Sequence, residues 1–283
     1  MRLGADFSHY NLEPEALATK YREWGYRAAT CPSIGIAETD RIRALREAFA
    51  RADVVIGEVA AWVNPLDPRP HERARNLAAI TEALAVADEL GAVCCPTVAG
   101  SFDTANALAP HVAPHPDNFT ELAFEAVVAW VRGVLDDVKP RRARLTLEMS
   151  PWTILDGPEI YLRLLKAIDR PGLAVHLDPA NAIRDAHLYF STPALIDRCF
   201  DLLGPWIVSC HAKDILQDPY PATVCLREVI PGQGILDYRT LLRRIEQASP
   251  EMPLIIEHLA TEQEYAQAAG FIRGVAAEVG VTA

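Results

Sequence analysis

Residues 144–178 read RLTLEMSPWTILDGPEIYLRLLKAIDRPGLAVHLD, and this stretch decides the fold class. RLTLEM (144–149) is a short β-rich run, GPEIYLRLLKAID (157–169) has helical periodicity, and GLAVHLD (172–178) is β-rich again. The same unit recurs outward in both directions. Further strand-like runs are RLGADF (2–7), YRAATC (26–31), DVVIGEVAA (53–61), AVCCPTVAG (92–100), WIVSCHAKD (206–214) and PLIIEH (253–258), each followed by a helical stretch. Over 71–91, Leu77, Ile80, Leu84 and Leu90 fall on one helical stripe with Glu and Arg opposite. Gly25 and Gly91 stand just past helical stretches, where a helix end commonly takes positive φ. Strict alternation implies right-handed βαβ units and a parallel sheet. Eight such units suit a closed (β/α)₈ barrel, usually about 250 residues. An open doubly wound sheet is the rival, but its GxGxxG after the first strand is missing, and GADFSH (4–9) stands there instead. With no linker or low-complexity segment, the expectation is one α/β domain over 1–283, its active site at the C-terminal mouth of the strands.

The composition limits partners. Of 283 residues, 50% are hydrophobic and 23% charged, which excludes a disordered chain. Twenty-seven Lys+Arg against 38 Asp+Glu give a net charge of −11. That field repels nucleic acid and anionic membranes and leaves a small molecule or a cation as the expected partner. No apolar run approaches the roughly 18 residues of a membrane span, and MRLGADF reads as a strand rather than a signal segment. The six cysteines form no CxxC pair, and Cys94, Cys95 and Cys210 sit in apolar runs, as reduced buried thiols do. A cytoplasmic location is expected.

Four late runs end in metal-ligand residue types: Glu148, Asp178, His211 and Glu257, spaced about one βα unit apart. Period-two alternation puts Thr146 with Glu148, His176 with Asp178, Ser209 and Lys213 with His211, and Ile255 with Glu257. It sends His258 and Asp214 the other way, toward helices or loops. Each residue alone reads as an ordinary solvated strand end or a packed histidine. Together, four inward charged groups in one mouth need compensation, and a divalent cation supplies it. Oxygen-rich, thiolate-free ligation suits Mn²⁺, Mg²⁺ or Co²⁺, with Zn²⁺ less favoured.

These motifs carry a resemblance. LEMSPW (147–152), HLDPAN (176–181), CHAKD (210–214), VIPGQGILDY (229–238) and IIEHL (255–259) make the whole chain similar to the xylose-isomerase-like TIM-barrel superfamily, in its sugar (phosphate) isomerase/epimerase branch. The resemblance implies one divalent metal, Mn²⁺ first, held by Glu148, Asp178, His211 and Glu257. It implies that Glu148 and Glu257 also act as base and acid on a ketose or keto-sugar, through a metal-stabilised enediolate. Homo-oligomers are common among such proteins.

Softer candidates for substrate contact are Lys213, on the face of His211, and Glu58, which ends VVIGE and either binds a hydroxyl or supports a neighbour. His9, Trp62 and Trp152 lie just past strand ends, where surface loop or ordinary packing explains them as well. Gly232 and Gly234 in PGQG read as a tight turn after the seventh run, not a phosphate cradle. Where ketose 3-epimerases carry a substrate-contacting His, this chain has Asn181, which can hydrogen-bond a hydroxyl but does not titrate near neutral pH. The runner-up reading is therefore a lyase or dehydratase on a keto-sugar or inosose, carbon-glycoside cleavage included. An endonuclease IV-like repair enzyme would need further histidines, one at Asn181 and an Asp-x-His after the seventh strand. The one Asp-x-His, Asp185 to His187, precedes His211. A fourth reading is a catalytically silent barrel acting as a subunit or binding module, which predicts no bound metal.

Overall fold

A strand at each β-rich run and a helix in each interval give the chain its architecture. The computed structural model describes residues 1–105, 109, 111–219 and 223–283. Strands β1 (Arg2–Ala5), β2 (Ala28–Thr30), β3 (Val55–Glu58), β4 (Cys94–Val98), β5 (Arg144–Glu148), β6 (Leu173–Leu177) and β7 (Ile207–Ala212) lie side by side in chain order. All pairs are parallel, and β10 (Pro253–Ile256) closes the ring between β7 and β1, with Arg2 opposite Pro253. The predicted eight-stranded (β/α)₈ barrel is therefore present. Register shifts at Ala29/Thr30 between β2 and β3, and at Val175/His176 between β6 and β7, stagger the strands that carry Glu58 and His211.

Helices α1 (Pro14–Glu23), α2 (Thr39–Ala52), α3 (Pro70–Leu90), α4 (Glu121–Val138), α5 (Pro158–Ile168), α7 (Thr192–Leu203), α8 (Tyr238–Ala248) and α9 (Glu262–Val279) fill the eight helical intervals, and a one-turn α6 (Ala186–Tyr189) precedes α7. Gly25 and Gly91 take positive φ, 78° and 74°, as the sequence predicts. Asp53, Lys139 and Asp169 end helices in the same left-handed conformation without glycine.

Beyond the ring, β8 (Asp214–Gln217) and β9 (Leu226–Val229) pair as an antiparallel hairpin. The hairpin adds two strands outside the eight of the ring, and the PGQG turn follows it rather than β7.

Three buried tyrosines tie helices to the strand ends. The Tyr21 hydroxyl accepts from the Phe7 N–H (3.1 Å), and Tyr238 donates to the Lys213 carbonyl (2.9 Å). The Tyr161 hydroxyl on α5 lies 2.6 Å from the Leu147 carbonyl and 3.1 Å from that of Ala174, so it pins β5 and β6 just below Glu148 and Asp178. All six thiols are unpaired, and all but that of Cys225 are buried. Among the described residues no helix is long and apolar enough to cross a membrane.

Candidate metal centre

Glu148, Asp178, His211 and Glu257 arrive from the ends of β5, β6, β7 and β10. Each offers one ligand atom, and these atoms all lie within 4.8 Å of one another. His211 is central. Its Nδ1 is 3.1 Å from Glu148 Oε1 and 3.0 Å from Glu257 Oε1. Asp178 is fully buried, and the Ala180 N–H donates to its Oδ1 at 2.9 Å, which turns Oδ2 toward the cluster. Buried Asp178 Oδ2 and Glu257 Oε1 accept no well-aligned hydrogen bond. The Lys213 ammonium lies 3.0 Å and 2.8 Å from them as an ion-pair partner. Two buried carboxylate oxygens that lack an aligned hydrogen bond, beside an imidazole nitrogen, make a donor set that fits a hard divalent cation.

Electrostatics follow from burial and proximity. Burial pushes the Glu148 carboxyl up. Burial pushes Glu257 the same way, but the His211 and Lys213 charges outweigh it and hold the carboxyl well below its usual range. For His211, burial lowers the pKa, yet Glu257 and Glu58 override it and raise it well above the ordinary value. A divalent cation at the common centre would take over the role of that proton.

Glu58 is only 2% exposed and sits beneath His211, with its carboxylate 3.2 Å from Nε2. It is not part of the cavity wall. Ser209 donates to Glu58 Oε1 at 3.3 Å and lies 3.0 Å from His176 Nδ1. Burial drives the His176 pKa down to about 3, so that ring is neutral. A carboxylate on Nε2 fixes the imidazole tautomer and aims the Nδ1 lone pair at the cluster.

Above the four groups is a cavity of about 390 Å³, walled by Trp62, Val98, His111, Met149, Asn181, Lys213, Glu228 and His258 among others. The Trp62 ring centre is 6.5 Å from that of His211. Asn181 Oδ1 lies 3.4 Å from Lys213 Nζ. Trp152 opens instead onto an adjoining chamber, and exposed His9 stacks on Tyr10 without lining the cavity.

One residue departs from the alternation reading, and a second site residue, Glu228, lies outside it. His258 faces the cavity rather than helices or loops, because β10 ends at Ile256 and the chain takes φ 58° at His258. Its Nδ1 is 2.9 Å from Glu228 Oε2, and Nε2 is 3.5 Å from Glu257 Oε2. Glu228 itself comes from β9 and reaches within 3.4 Å of Lys213 Nζ. No metal-ligand motif marks it, and the Leu-Arg-Glu-Val run of 226–229 shows no period-two alternation that would have pointed to it.

The fold has solved counterparts. D-Psicose 3-epimerase from Clostridium cellulolyticum H10, crystallised with D-tagatose, is 13% identical, with 100% of each chain covered and a TM-score of 0.70. A xylose isomerase-like TIM-barrel protein from Mycobacterium smegmatis in complex with magnesium is 18% identical, with 98% of this chain and 97% of that one covered and a TM-score of 0.69. Endonuclease IV from Thermus thermophilus is 18% identical, covers 98% of this chain and 100% of its own, and has a TM-score of 0.71. At these identities the likeness is one of fold. No curated protein sequence matches the chain significantly. The sequence model of one family matches residues 19–275, nearly the whole barrel, and the chain belongs to that family, the xylose isomerase-like TIM barrels.

Proposed function

We propose that the protein is a divalent-metal-dependent isomerase or epimerase of a ketose or related keto-sugar. One observation carries this reading: four ligand atoms from four adjacent strands lie within 4.8 Å of one another under a cavity of small-molecule size. Glu148, Asp178, His211 and Glu257 would hold the cation, Mn²⁺ first among Mn²⁺, Mg²⁺ and Co²⁺. When bound, the cation polarises a substrate oxygen, acidifies the neighbouring C–H and offsets the charge left by proton removal.

The remaining work belongs to the chain. Glu148 and Glu257 enter from β5 and the end of β10, on either side of His211, so one can take a proton and the other return it. Lys213 holds Glu257 ionised and offers an N–H to a substrate oxygen. Asn181 gives a hydroxyl a neutral partner, and Trp62 and Met149 wall out water. A net charge of −11 supports a small-molecule partner over nucleic acid or an anionic membrane. Five buried, unpaired thiols support a cytoplasmic setting.

A lyase on the same substrates is the second reading. It is favoured by the His258–Glu228 pair at the rim, 2.9 Å apart, which adds a proton donor that loss of a leaving group would use. The test is metal analysis of purified protein, then deuterium uptake from D₂O into a panel of ketoses and keto-glycosides. The expected result is about one divalent ion per chain and exchange at one carbon without elimination. Glu148→Gln and Glu257→Gln should each lower the exchange rate about 1,000-fold with the fold retained. Full exchange by the demetallated protein refutes the mechanism.

A further inference from the structure

The cavity over the cluster does not end at its own walls. Asn181 and Glu228 line both it and an adjoining chamber of about 370 Å³, so the two chambers meet at those side chains, which stand at the bend between them. The adjoining chamber has an apolar floor of buried Ala180, Ile183 and Ile215. At its rim stand Trp152 and Val224, each 54% exposed. Apolar side chains that rim a concave apolar floor make a patch of the kind that marks a ligand-binding groove.

The indole stands on a braced loop rather than a loose one. Buried Asn118 donates to the Trp152 carbonyl at 2.7 Å, and the Ser150 N–H donates to the Leu155 carbonyl at 3.0 Å. A braced, exposed indole beside an apolar floor is suited to stacking on a flat ring.

The charges narrow the occupant. Arg184 lines the chamber but is already committed: Nη1 donates to the Asp156 carbonyl at 2.5 Å and lies 3.3 Å from Asp156 Oδ2. Lys213 at the bend is surrounded by Asp178, Glu257 and Glu228. A phosphate would therefore meet paired cations. A second sugar ring would leave hydroxyls against Ala180, Ile183 and Ile215 without partners.

We propose that this chamber is an aglycone subsite for a flat aromatic group, so that the substrate is an aryl glycoside of a keto-sugar rather than a free or phosphorylated ketose. The sugar ring lies over Glu148 and Glu257, the glycosidic bond passes Asn181 and Glu228, and the aromatic ring stacks on Trp152. The inference rests on the keto-sugar reading above for the first chamber only.

The test is calorimetric titration of the Mn²⁺-loaded protein with the phenyl and methyl β-glycosides of 3-keto-D-glucose and with 3-keto-cellobiose. Stacking and burial of one phenyl ring predict at least about tenfold tighter binding of the phenyl glycoside than of the methyl one. Trp152→Ala should bring the two to within about twofold while far-UV circular dichroism and metal content stay unchanged. Val224→Asp is a second, independent probe of the same wall and should also weaken the phenyl preference. Equal affinity for phenyl and methyl glycosides overturns the proposal. So does a preference that survives both substitutions, tighter binding of 3-keto-cellobiose than of the phenyl keto-glycoside, or no measurable binding of the phenyl keto-glycoside. The deuterium-exchange assay is a separate readout. A phenyl preference without exchange into any keto-sugar sinks the reaction reading and leaves the subsite standing.

Discussion

Glu58 shows how a residue remote from the cavity sets the chemistry inside it. A metal-ligating imidazole needs one nitrogen bare and the other protonated, and a carboxylate against Nε2 enforces that choice. Burial pushes Glu58 up, but the two imidazoles beside it prevail, so its pKa is lowered and it stays ionised. Glu58→Gln keeps the size and loses the charge, and it should weaken Mn²⁺ binding about 10- to 100-fold. Chelator competition measures this, and a thermal melt of the metal-free variant shows whether folding has changed as well. His211→Ala should lose the metal outright. An unchanged affinity in Glu58→Gln would mean that the tautomer is set elsewhere. Glu58 was legible as the charged end of the VVIGE run, because β3 extends to that residue. The period-two rule misplaced His258, because alternation holds only while φ and ψ stay extended and the strand stops at Ile256. The inward-pointing ligand types were legible; which of them touch substrate depends on local backbone turns that no periodicity encodes.

The element that most shapes the site beyond the ring is the β8–β9 hairpin, and one buried side chain braces it. Asp214 is fully buried and accepts four backbone N–H bonds, from Ile215 (2.9 Å), Gly232 (2.9 Å), Gly234 (3.0 Å) and Leu236 (3.0 Å). Burial pushes its carboxyl up, and those four donors pull against that shift. The loop wraps the carboxylate so closely that a Cβ at Gly234 would collide with it, and Gly232 turns at φ 94°. PGQG is thus a backbone cradle for the protein's own carboxylate, which explains its glycines without any phosphate. Asp214→Ala strands four donors around a cavity and should cost about 3 kcal/mol, measured by urea denaturation. It should also loosen Glu228, which hangs from β9 within reach of Lys213 and His258, so substrate affinity should fall together with stability. Asp214→Asn, which keeps the shape but brings donors of its own, should recover only part of either. The hairpin was hard to read because Asp214–Gln217 and Leu226–Val229 are four residues each and the first follows β7 almost without a break, so it looks like the tail of that strand. The barrel strands were easier, since each is set off by a long amphipathic helix.

Across the whole molecule, closure of the barrel and assembly of the cluster draw on different residues. The ring is closed by backbone pairing from Arg2–Pro253 round to Leu254–Cys210, over a continuous apolar core that reaches from Met1 to Ala276. The four ligand residues lie at or just past the C-terminal ends of their strands, above that core. That separation is why the fold class was legible from alternation alone, while the site had to be assembled from isolated residue types. It also fixes what chelation does. Without a cation the barrel keeps its pairing and packing, so EDTA-treated protein should retain its far-UV circular dichroism. What it loses is the linkage term, about 2.7 kcal/mol when free Mn²⁺ stands at 100 times its dissociation constant, or a melting temperature lower by roughly 5 °C. The increment should shrink as pH falls. Three carboxylates and an imidazole must be unprotonated to bind, so protons compete for the same atoms and binding releases them. Because Glu257 and Glu58 hold the His211 proton well above its ordinary range, melts with and without Mn²⁺ should differ most at pH 8 and the difference should already narrow at pH 7 and further at pH 5. Equal melting temperatures at pH 8 would mean that the cluster binds no cation of consequence. Loss of the circular dichroism signal on chelation would mean that the metal is part of the scaffold rather than a guest at its mouth.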